Sequence, residues 1–461
     1  MRLLILIAAF LVAPALTQAQ TTVLGADASS VEGPAVKPID QELAKINEPE
    51  PLLAEVARAH AAGDIDTLGR VYRRLSQLRP HIGQYKYEMA AAFAAQDFKT
   101  LTYNALLELQ AQGYGFDLAK DPRFQPVTTT EVWEYIVQAF EANRKPFGEA
   151  KLMATLPKDD LLIESVAWDP TRKAALVGSA REGTVYVVGA EGELTPLVKA
   201  DDKNGMWAVF DLAVDAKRGV LWVASTAVPH YKRYNAEKDL GRAGVFKFDL
   251  KTGKFLKSYL SPVVIGQSFV ISTLGLAPDG TVFAADGVND AVYQVRDDRF
   301  QRLFHVPVLG SIRGLAVSGD GKILYFADHE RGLFGYDLAT GKPFEVIGSS
   351  KLALGGIEGL QWWRNQLVIV QSAMKPARVM RLKLTPDGKA VAGVQPLSAN
   401  QPEVSLPTLA TLDGDRLLFV GNSQKLSYDR FGLPRNKDRL EGTRLIELDL
   451  NFGATPDAMP E

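Results

Sequence analysis

Short apolar runs that alternate with polar residues fill the C-terminal two-thirds of the chain and recur at a nearly constant period. Six similar segments open the repeats; they begin at Glu164, Phe210, Leu274, Arg313, Glu358 and Pro407. Their second residues lie 46, 64, 39, 45 and 49 residues apart, and the longest spacing indicates an insertion in the second repeat. Further β-rich runs and Asp-Gly or Thr-Gly turns follow each opening, which predicts four short antiparallel strands per repeat. Six such units predict a six-bladed β-propeller over residues 155–455.

Apolar residues before the propeller recur at helical spacing instead. Between Pro51 and Gln112, turn-like segments separate stretches of helix length, which predicts helical hairpins over residues 49–150. The fold class is therefore mainly β, a six-bladed propeller preceded by a small all-α region. The stretch that starts at Tyr87 and the tail Asp121-Pro-Arg-Phe124 resemble a degenerate tetratricopeptide repeat. That resemblance implies either a concave surface for a partner or a short unit that docks on the propeller.

The N-terminus has the pattern of a secretory signal peptide over residues 1–19. Arg2 precedes an apolar run, and Thr17-Gln18-Ala19 forms a small-residue cleavage site. The run is shorter than the ~20 residues that span a bilayer, which disfavours the alternative of an uncleaved anchor. Residues 20–48 lack periodicity and predict a flexible leader. We therefore expect a periplasmic or secreted protein with no membrane span after cleavage of the signal.

Composition removes several classes of function. The chain has 52 Lys and Arg against 54 Asp and Glu, so no electrostatic attraction to nucleic acid is expected. It has no Cys, which excludes a thiol nucleophile, and no two of its five His have a metal-ligand spacing. The sequence also lacks a Gly-x-Ser-x-Gly elbow, a phosphate-binding loop and a dinucleotide fingerprint.

The candidate chemistry lies at the propeller axis, because the first strand of each blade lines the central channel. The carboxylates of Glu164 and Glu358 and the guanidinium of Arg313 are expected to converge there, where burial perturbs pKa values. Asp211, in the opening of blade two, is a further candidate. His329 lies between two acidic residues and is the candidate general base.

The segment Glu164-Ser165-Val166-Ala167-Trp168 and the later x-Gly-Leu openings resemble the propellers of the senescence-marker-protein/gluconolactonase family over roughly Asp160 to Leu450. The resemblance implies a divalent cation on the axis, with Glu164 and Glu358 at ligand positions, and hydrolysis of sugar lactones. The chain departs from the family where two Asn are expected. In this alignment Leu274 and Arg313 stand there; Leu cannot coordinate a cation and Arg repels one.

These departures favour a metal-free axis in which Arg313 pairs with both Glu164 and Glu358. No cofactor is then favoured, and a divalent cation such as Ca²⁺ is the alternative. The favoured function is a non-catalytic binding module for a small molecule or an envelope protein. A metal-dependent sugar-lactone hydrolase is the alternative.

Loops between the second and third strands are expected to reach the same side of the propeller as the openings. They contribute the candidate ligand-binding residues Asp286, Asn289, Asp328, Gln371 and Asn422. The insertion of blade two adds His230 and Tyr231, and a second insertion runs from Lys425 to Glu441. Both insertions are long, basic and aromatic, and they indicate either a lid over the axis or two solvated loops.

Overall fold

The structure is a computed structural model that describes residues 34–264, 266–307 and 309–453. The expected signal peptide and the first part of the expected leader, up to residue 33, lie outside the described residues. The chain divides into two compact units. One contains the described residues up to Leu78 together with Gln84–Leu107 and Leu118–Val137. The other contains Arg79–Gly83, Glu108–Asp117 and the described residues from Gln138 onward.

Helices fill the described chain before the first strand. They are α1 (Pro38–Lys45), α2 (Pro49–Ala62), α3 (Ile65–Leu78), α4 (Gly83–Ala94), α5 (Lys99–Ala111) and α6 (Glu131–Asn143). Short 3₁₀ turns cover Leu118–Lys120 and Pro122–Val127. Thr130 caps α6, since its Oγ1 accepts a hydrogen bond from the backbone N–H of Trp133. Within the described residues, no helix is both long and apolar enough to cross a membrane.

The first helix lies inside the range that the sequence assigns to a flexible leader. Pro38 occupies the first turn of α1, and Asp40 accepts a hydrogen bond from the backbone N–H of Lys37. The buried guanidinium of Arg70 forms ion pairs with Asp40 and Asp66, and Leu43 packs into the apolar core of the same unit. Contacts that are distant in the sequence therefore stabilise a segment whose composition alone indicates disorder.

The strands form six antiparallel sheets. Blade one contains β3 (Ile163–Asp169), β4 (Ala174–Ser179), β5 (Thr184–Val188) and β6 (Leu194–Lys199). Blade two contains β7 (Ala208–Asp215), β8 (Val220–Thr226), β9 (Ala243–Asp249) and β10 (Phe255–Leu260), with the short helix α7 (Ala236–Asp239) in its insertion. Blade three contains β11 (Ile271–Leu276), β12 (Val282–Asp286), β13 (Ala291–Arg296) and β14 (Arg299–His305). Blade four contains β15 (Ile312–Val317), β16 (Ile323–Asp328), β17 (Gly332–Asp337) and β18 (Lys342–Glu345).

The last two blades each include a strand that precedes blade one in the sequence. Blade five contains β19 (Ile357–Trp363), β20 (Gln366–Gln371), β21 (Arg378–Leu384), β22 (Val391–Ala399) and the edge strand β1 (Phe147–Gly148). Blade six contains β23 (Ala410–Asp413), β24 (Arg416–Val420), β25 (Arg444–Asp449) and β2 (Ala150–Thr155). Because β2 pairs with β25, residues from both ends of the propeller sequence close the ring within one sheet.

The first strands of the blades contact one another in a closed cycle, β3 to β7, β11, β15, β19, β23 and back to β3. The six-bladed propeller preceded by helices is therefore confirmed. Apolar side chains fill the spaces between neighbouring blades; Leu176 of blade one packs with Leu212 and Phe246 of blade two, for example. This packing fixes the positions of the six strands that line the axis.

Candidate functional site

A β-bulge interrupts the first strand near its N-terminal end in blades one to five. The bulge lies between Ile163 and Ser165 in blade one, and it recurs at the equivalent place in the next four blades. Such a bulge redirects the side chain of the extra residue. The bulged residues and the matching residue of blade six all line one cavity of about 160 Å³. We call them the axial ring: Glu164, Phe210, Ser272, Arg313, Glu358 and Thr408.

The axial ring differs from the sequence alignment in blade six, where Thr408 replaces the aligned Pro407, and in blade three. The alignment places Leu274 in the first column, whereas the strand pairing places Ser272 there. Leu274 follows two residues later, and its backbone N–H donates to Asp211. A shift of two residues leaves side chains on the same face of a strand, so the alternating pattern does not detect it. The sequence comparison with the expected Asn position therefore applies to Ser272, not to Leu274.

Glu358 is the most deeply buried charged side chain of the axial ring, with 6% of its side-chain surface exposed. Its Oε1 lies 3.1 Å from the ammonium of Lys425, in the insertion of blade six. The same oxygen lies 3.4 Å from Nδ1 of His329, which has no hydrogen-bond partner among the residues that the structure describes. Burial lowers the pKa of His329, while the negative charge of Glu358 opposes that shift. His329 therefore lies beside the axial ring in a state that favours the neutral imidazole.

Glu164 interacts with Ser423, in the loop that leads into the insertion of blade six. Its Oε1 accepts a hydrogen bond of 2.6 Å from the hydroxyl of Ser423. Burial raises the pKa of Glu164 to about 7, against the opposing effects of Lys425 and the Ser423 hydrogen bond. The carboxyl therefore exchanges its proton near neutral pH, and its protonated form can donate a hydrogen bond.

Arg313 lies across the axis from Glu164, because blades one and four are opposite in a ring of six. Its Nε donates a 2.7 Å hydrogen bond to the hydroxyl of Ser311. Within the described residues, no carboxylate oxygen lies within 4.0 Å of a nitrogen of Arg313. The two terminal nitrogens of Arg313 make no hydrogen bond to these residues. The cation that pairs with Glu358 in the structure is Lys425.

Asp211 lies deeper along the axis and is 6% exposed. Its Oδ2 accepts from the backbone N–H of Leu274 at 2.7 Å and from the hydroxyl of Thr273 at 3.1 Å. Its Oδ1 accepts from the backbone N–H of Leu212 at 2.7 Å. Burial nevertheless raises the pKa of Asp211 to about 7. These bonds connect the first strands of blades two and three, so Asp211 has a clear structural use at this position.

The other candidate residues at the ends of the second strands hold the loops that precede the first strands. The carboxylate of Asp328 accepts hydrogen bonds from four backbone N–H groups, including those of Gly310 and Ser311. Asp286 accepts from Val270 and Val288, and burial raises its pKa.

Three amide side chains also hold loops through hydrogen bonds. Gln371 donates to the carbonyls of Ala353 and Gly355, Asn422 donates to Gly442, and Asn289 donates to Asp286 and Ser268. None of the five lines the axial cavity. Loop anchoring accounts for their polar character.

The two insertions lie together beside the axis. His230 lines the axial cavity and its ring lies 6.3 Å from that of Tyr428, whereas Tyr231 is buried in the core between blades one and two. The hydroxyl of Tyr428 donates to Asp160, which also pairs with Arg181 at 2.8 Å. The insertions thus share a hydrogen-bonded base and bring His230, Ser423 and Lys425 to the axial ring.

Sequence reasoning did not assign Ser272 to the axial ring, and it placed Ser423 and Lys425 in the loop and insertion of blade six without a partner at the axis. Ser272 had a signal, because a β-branched residue precedes the bulge in each of blades one to five; these residues are Ile163, Val209, Ile271, Ile312 and Ile357. Alignment on that residue places Ser272 beside Arg313. Lys425 begins the insertion and Ser423 lies just before it, so no periodic signal predicts their partners at the axis.

The fold and the axial ring define a six-bladed β-propeller with a charged cavity at one end of its axis. No family model and no curated protein sequence matches the chain. Among solved structures, a gluconolactonase from Xanthomonas campestris is 17% identical, with a TM-score of 0.42, over 67% of this chain and 92% of that one. A luciferin-regenerating enzyme is 14% identical, with a TM-score of 0.42, over 66% of this chain and 95% of that one.

A chain of the mitotic checkpoint complex is also similar, with 14% identity and a TM-score of 0.39 over 61% of this chain and 92% of that one. The assignment as a six-bladed propeller rests on the strand pairing described above. Propellers carry many unrelated functions, so the function must be argued from the axial ring.

Proposed function

We propose that this protein is an exported, non-catalytic binding protein that holds a small molecule at the axial ring. One observation carries the proposal: the cavity contains a guanidinium whose bonding capacity the protein does not fully use. Among the described residues, the two terminal nitrogens of Arg313 make no hydrogen bond. Arg313 is partly exposed at the cavity, so its terminal nitrogens are available to a ligand that enters there.

The charges of the axial ring fit a resident metal ion poorly. Glu164 and Glu358 are its carboxylates, and a cation such as Ca²⁺ takes six to eight oxygen ligands. The ammonium of Lys425 already lies 3.1 Å from Glu358, and Arg313 adds a second positive charge to the same cavity. Within the described part of the chain, no three His, Asp or Glu side chains are grouped as metal ligands. Lys425 and Ser423 therefore serve as the partners of the two glutamates, and Arg313 stays available to a ligand.

A melting experiment separates this proposal from the alternative of a metal-dependent lactonase. The mature protein is treated with a chelator, and its melting temperature is measured with Ca²⁺, Mg²⁺, Mn²⁺ or Zn²⁺ and separately with a panel of small molecules. A ligand that binds only the native state raises the melting temperature. We expect a rise with members of the small-molecule panel and none with the ions. A rise with one ion that disappears in Glu164→Gln would favour the lactonase instead.

Export and the helical region belong to the same proposal. The N-terminal sequence pattern supports cleavage after Ala19, so N-terminal sequencing of the periplasmic protein should give Gln20 as the first residue. We infer that the tetratricopeptide-like helices bind an envelope partner, on the resemblance at Tyr87 and Asp121. Retention of residue 2 in the mature protein would contradict export by signal cleavage.

A further inference from the structure

Three arginines of the propeller unit show how unusual the bonding of Arg313 is. Arg378 donates from Nε to Gln371, and from its terminal nitrogens to the carbonyls of Gln112 and Ala353. Arg181 likewise uses Nε and both terminal nitrogens. Toward the described part of the chain Arg313 uses only Nε, and its side chain lines the axial cavity. A planar guanidinium with a free fork suits bidentate binding of an oxyanion.

The neighbours of Arg313 leave its charge available. Glu358 of the adjacent blade is paired with Lys425, and Glu164 of the opposite blade accepts a hydrogen bond from Ser423. On the other side of Arg313, blade three contributes Ser272, whose hydroxyl is buried and unbonded. The Oγ of Ser272 has almost no accessible surface, so a ligand at Arg313 would reach it only after the serine side chain rotates.

The size and the walls of the cavity limit the rest of the ligand. A cavity of roughly 150 Å³ is known to hold a benzene molecule, so about 160 Å³ accommodates a compound of similar size. Leu162, Ala180, Phe210 and Leu409 line the cavity with apolar groups. Inorganic phosphate would leave these walls without contacts, whereas a hydrocarbon group would bury them. The lining thus combines one oxyanion site with one apolar compartment.

We propose that the axial cavity binds a small monocarboxylate, with the carboxylate held by Arg313 and the hydrocarbon part against Phe210 and Leu409. This inference rests on the proposed binding function and specifies its ligand class. It requires no metal and no bond cleavage.

Isothermal titration and melting curves with two matched pairs of compounds test the inference. The pairs are butanoate with butanamide and benzoate with benzamide, which differ in charge but hardly in shape. We expect both carboxylates to bind the wild-type protein and the amides to bind at least tenfold more weakly, since a charge-assisted pair is lost. Arg313→Met should weaken carboxylate binding by more than tenfold. Arg299→Met, on an exposed outer strand, is the matched control and should bind like the wild type.

The other results distinguish failure of the ligand class from failure of the binding function. Amides that bind as tightly as carboxylates would overturn the carboxylate assignment but keep a small-molecule site. Carboxylate binding that is unchanged in Arg313→Met would move the site away from Arg313. Absence of binding by all four compounds, and by the wider panel, would overturn both proposals. If Arg313→Met does not fold, Arg313→Lys keeps the charge without the fork and should still show a loss of several-fold.

Discussion

The two ends of the propeller axis are built from the same six strands but differ in their chemistry. The cavity at the axial ring is the smaller, at about 160 Å³, and it contains the side chains of Arg313, Glu164 and Glu358. A second cavity of about 310 Å³ lies toward the C-terminal ends of the first strands. Its polar groups are bonded to the protein itself: Gln361 donates to the carbonyl of Ala410, and Asp211 accepts three hydrogen bonds. By volume alone, the second cavity would be the better candidate for a ligand site. The unused hydrogen-bonding capacity of Arg313 favours the first cavity instead.

The largest expected effect concerns the pH dependence of stability at Asp211. Burial raises its pKa from 3.8 to about 7 in the folded protein, so the native state binds the proton more tightly than the unfolded chain does. The free energy of unfolding should therefore fall as the pH rises from about 4 to about 7, with a total contribution of about 4 kcal/mol. Denaturant unfolding at several pH values, compared with Asp211→Asn, measures this contribution.

The Asn variant is the necessary control because Glu164 titrates in the same range. Its pKa is also raised to about 7, so the wild-type curve contains both groups. Asp211→Asn keeps one acceptor oxygen but removes the proton exchange at this position. The difference between the two curves isolates Asp211. Parallel curves for wild type and Asp211→Asn between pH 4 and pH 8 would show that Asp211 does not titrate there.

The next effect tests whether Asp211 is a structural group. Asp211→Ala removes the acceptor for the backbone N–H of Leu274 and the hydroxyl of Thr273, both of which are buried. Unfolding at pH 5 should then require about 2–3 kcal/mol less free energy than for Asp211→Asn. Equal stability of the Ala and Asn variants would mean that water or a local shift replaces the lost acceptor.

Much of the fold was predictable because the propeller repeats one hydrogen-bonding unit. The openings at Glu164, Arg313 and Glu358 were placed on the first strands, where β3, β15 and β19 contain them. Strand β2 was not predicted, since it belongs to blade six but precedes blade one in the sequence. Helix α1 was also missed, because its stability comes from Arg70, a residue of another helix.

The axial ring was predictable only in part. The period identified Glu164, Arg313 and Glu358, but a slip of two residues in blade three replaced Ser272 by Leu274. The predicted Glu–Arg–Glu pairing assumed that charges at one axis must pair with each other. In the structure the insertion of blade six adds Lys425, and position within a repeat cannot predict where an insertion folds back.

A smaller effect tests the ion pair between Lys425 and Glu358, which belongs to the axial-ring end of the axis. Lys425→Met leaves the buried carboxylate of Glu358 without its nearest cation. Because Lys425 is one-third exposed, the loss of stability should be about 1–2 kcal/mol rather than the larger cost of breaking a fully buried pair. The double variant Glu358→Gln with Lys425→Met should recover most of this loss in denaturant unfolding. No recovery in the double variant would assign the loss to packing of the lysine chain instead.

The smallest effect on stability is the most informative about function. Arg313 donates only from Nε to Ser311, so Arg313→Met should change the free energy of unfolding by no more than about 0.5 kcal/mol. The two residues would then have different roles: Asp211→Ala lowers the stability of the fold, whereas Arg313→Met removes only carboxylate binding. Denaturant unfolding without ligand, at pH 7 and low ionic strength, makes the comparison. A loss of 2 kcal/mol or more in Arg313→Met would show that its charge stabilises Glu164 and Glu358 across the axis, and the fork of N–H groups would then be part of the fold.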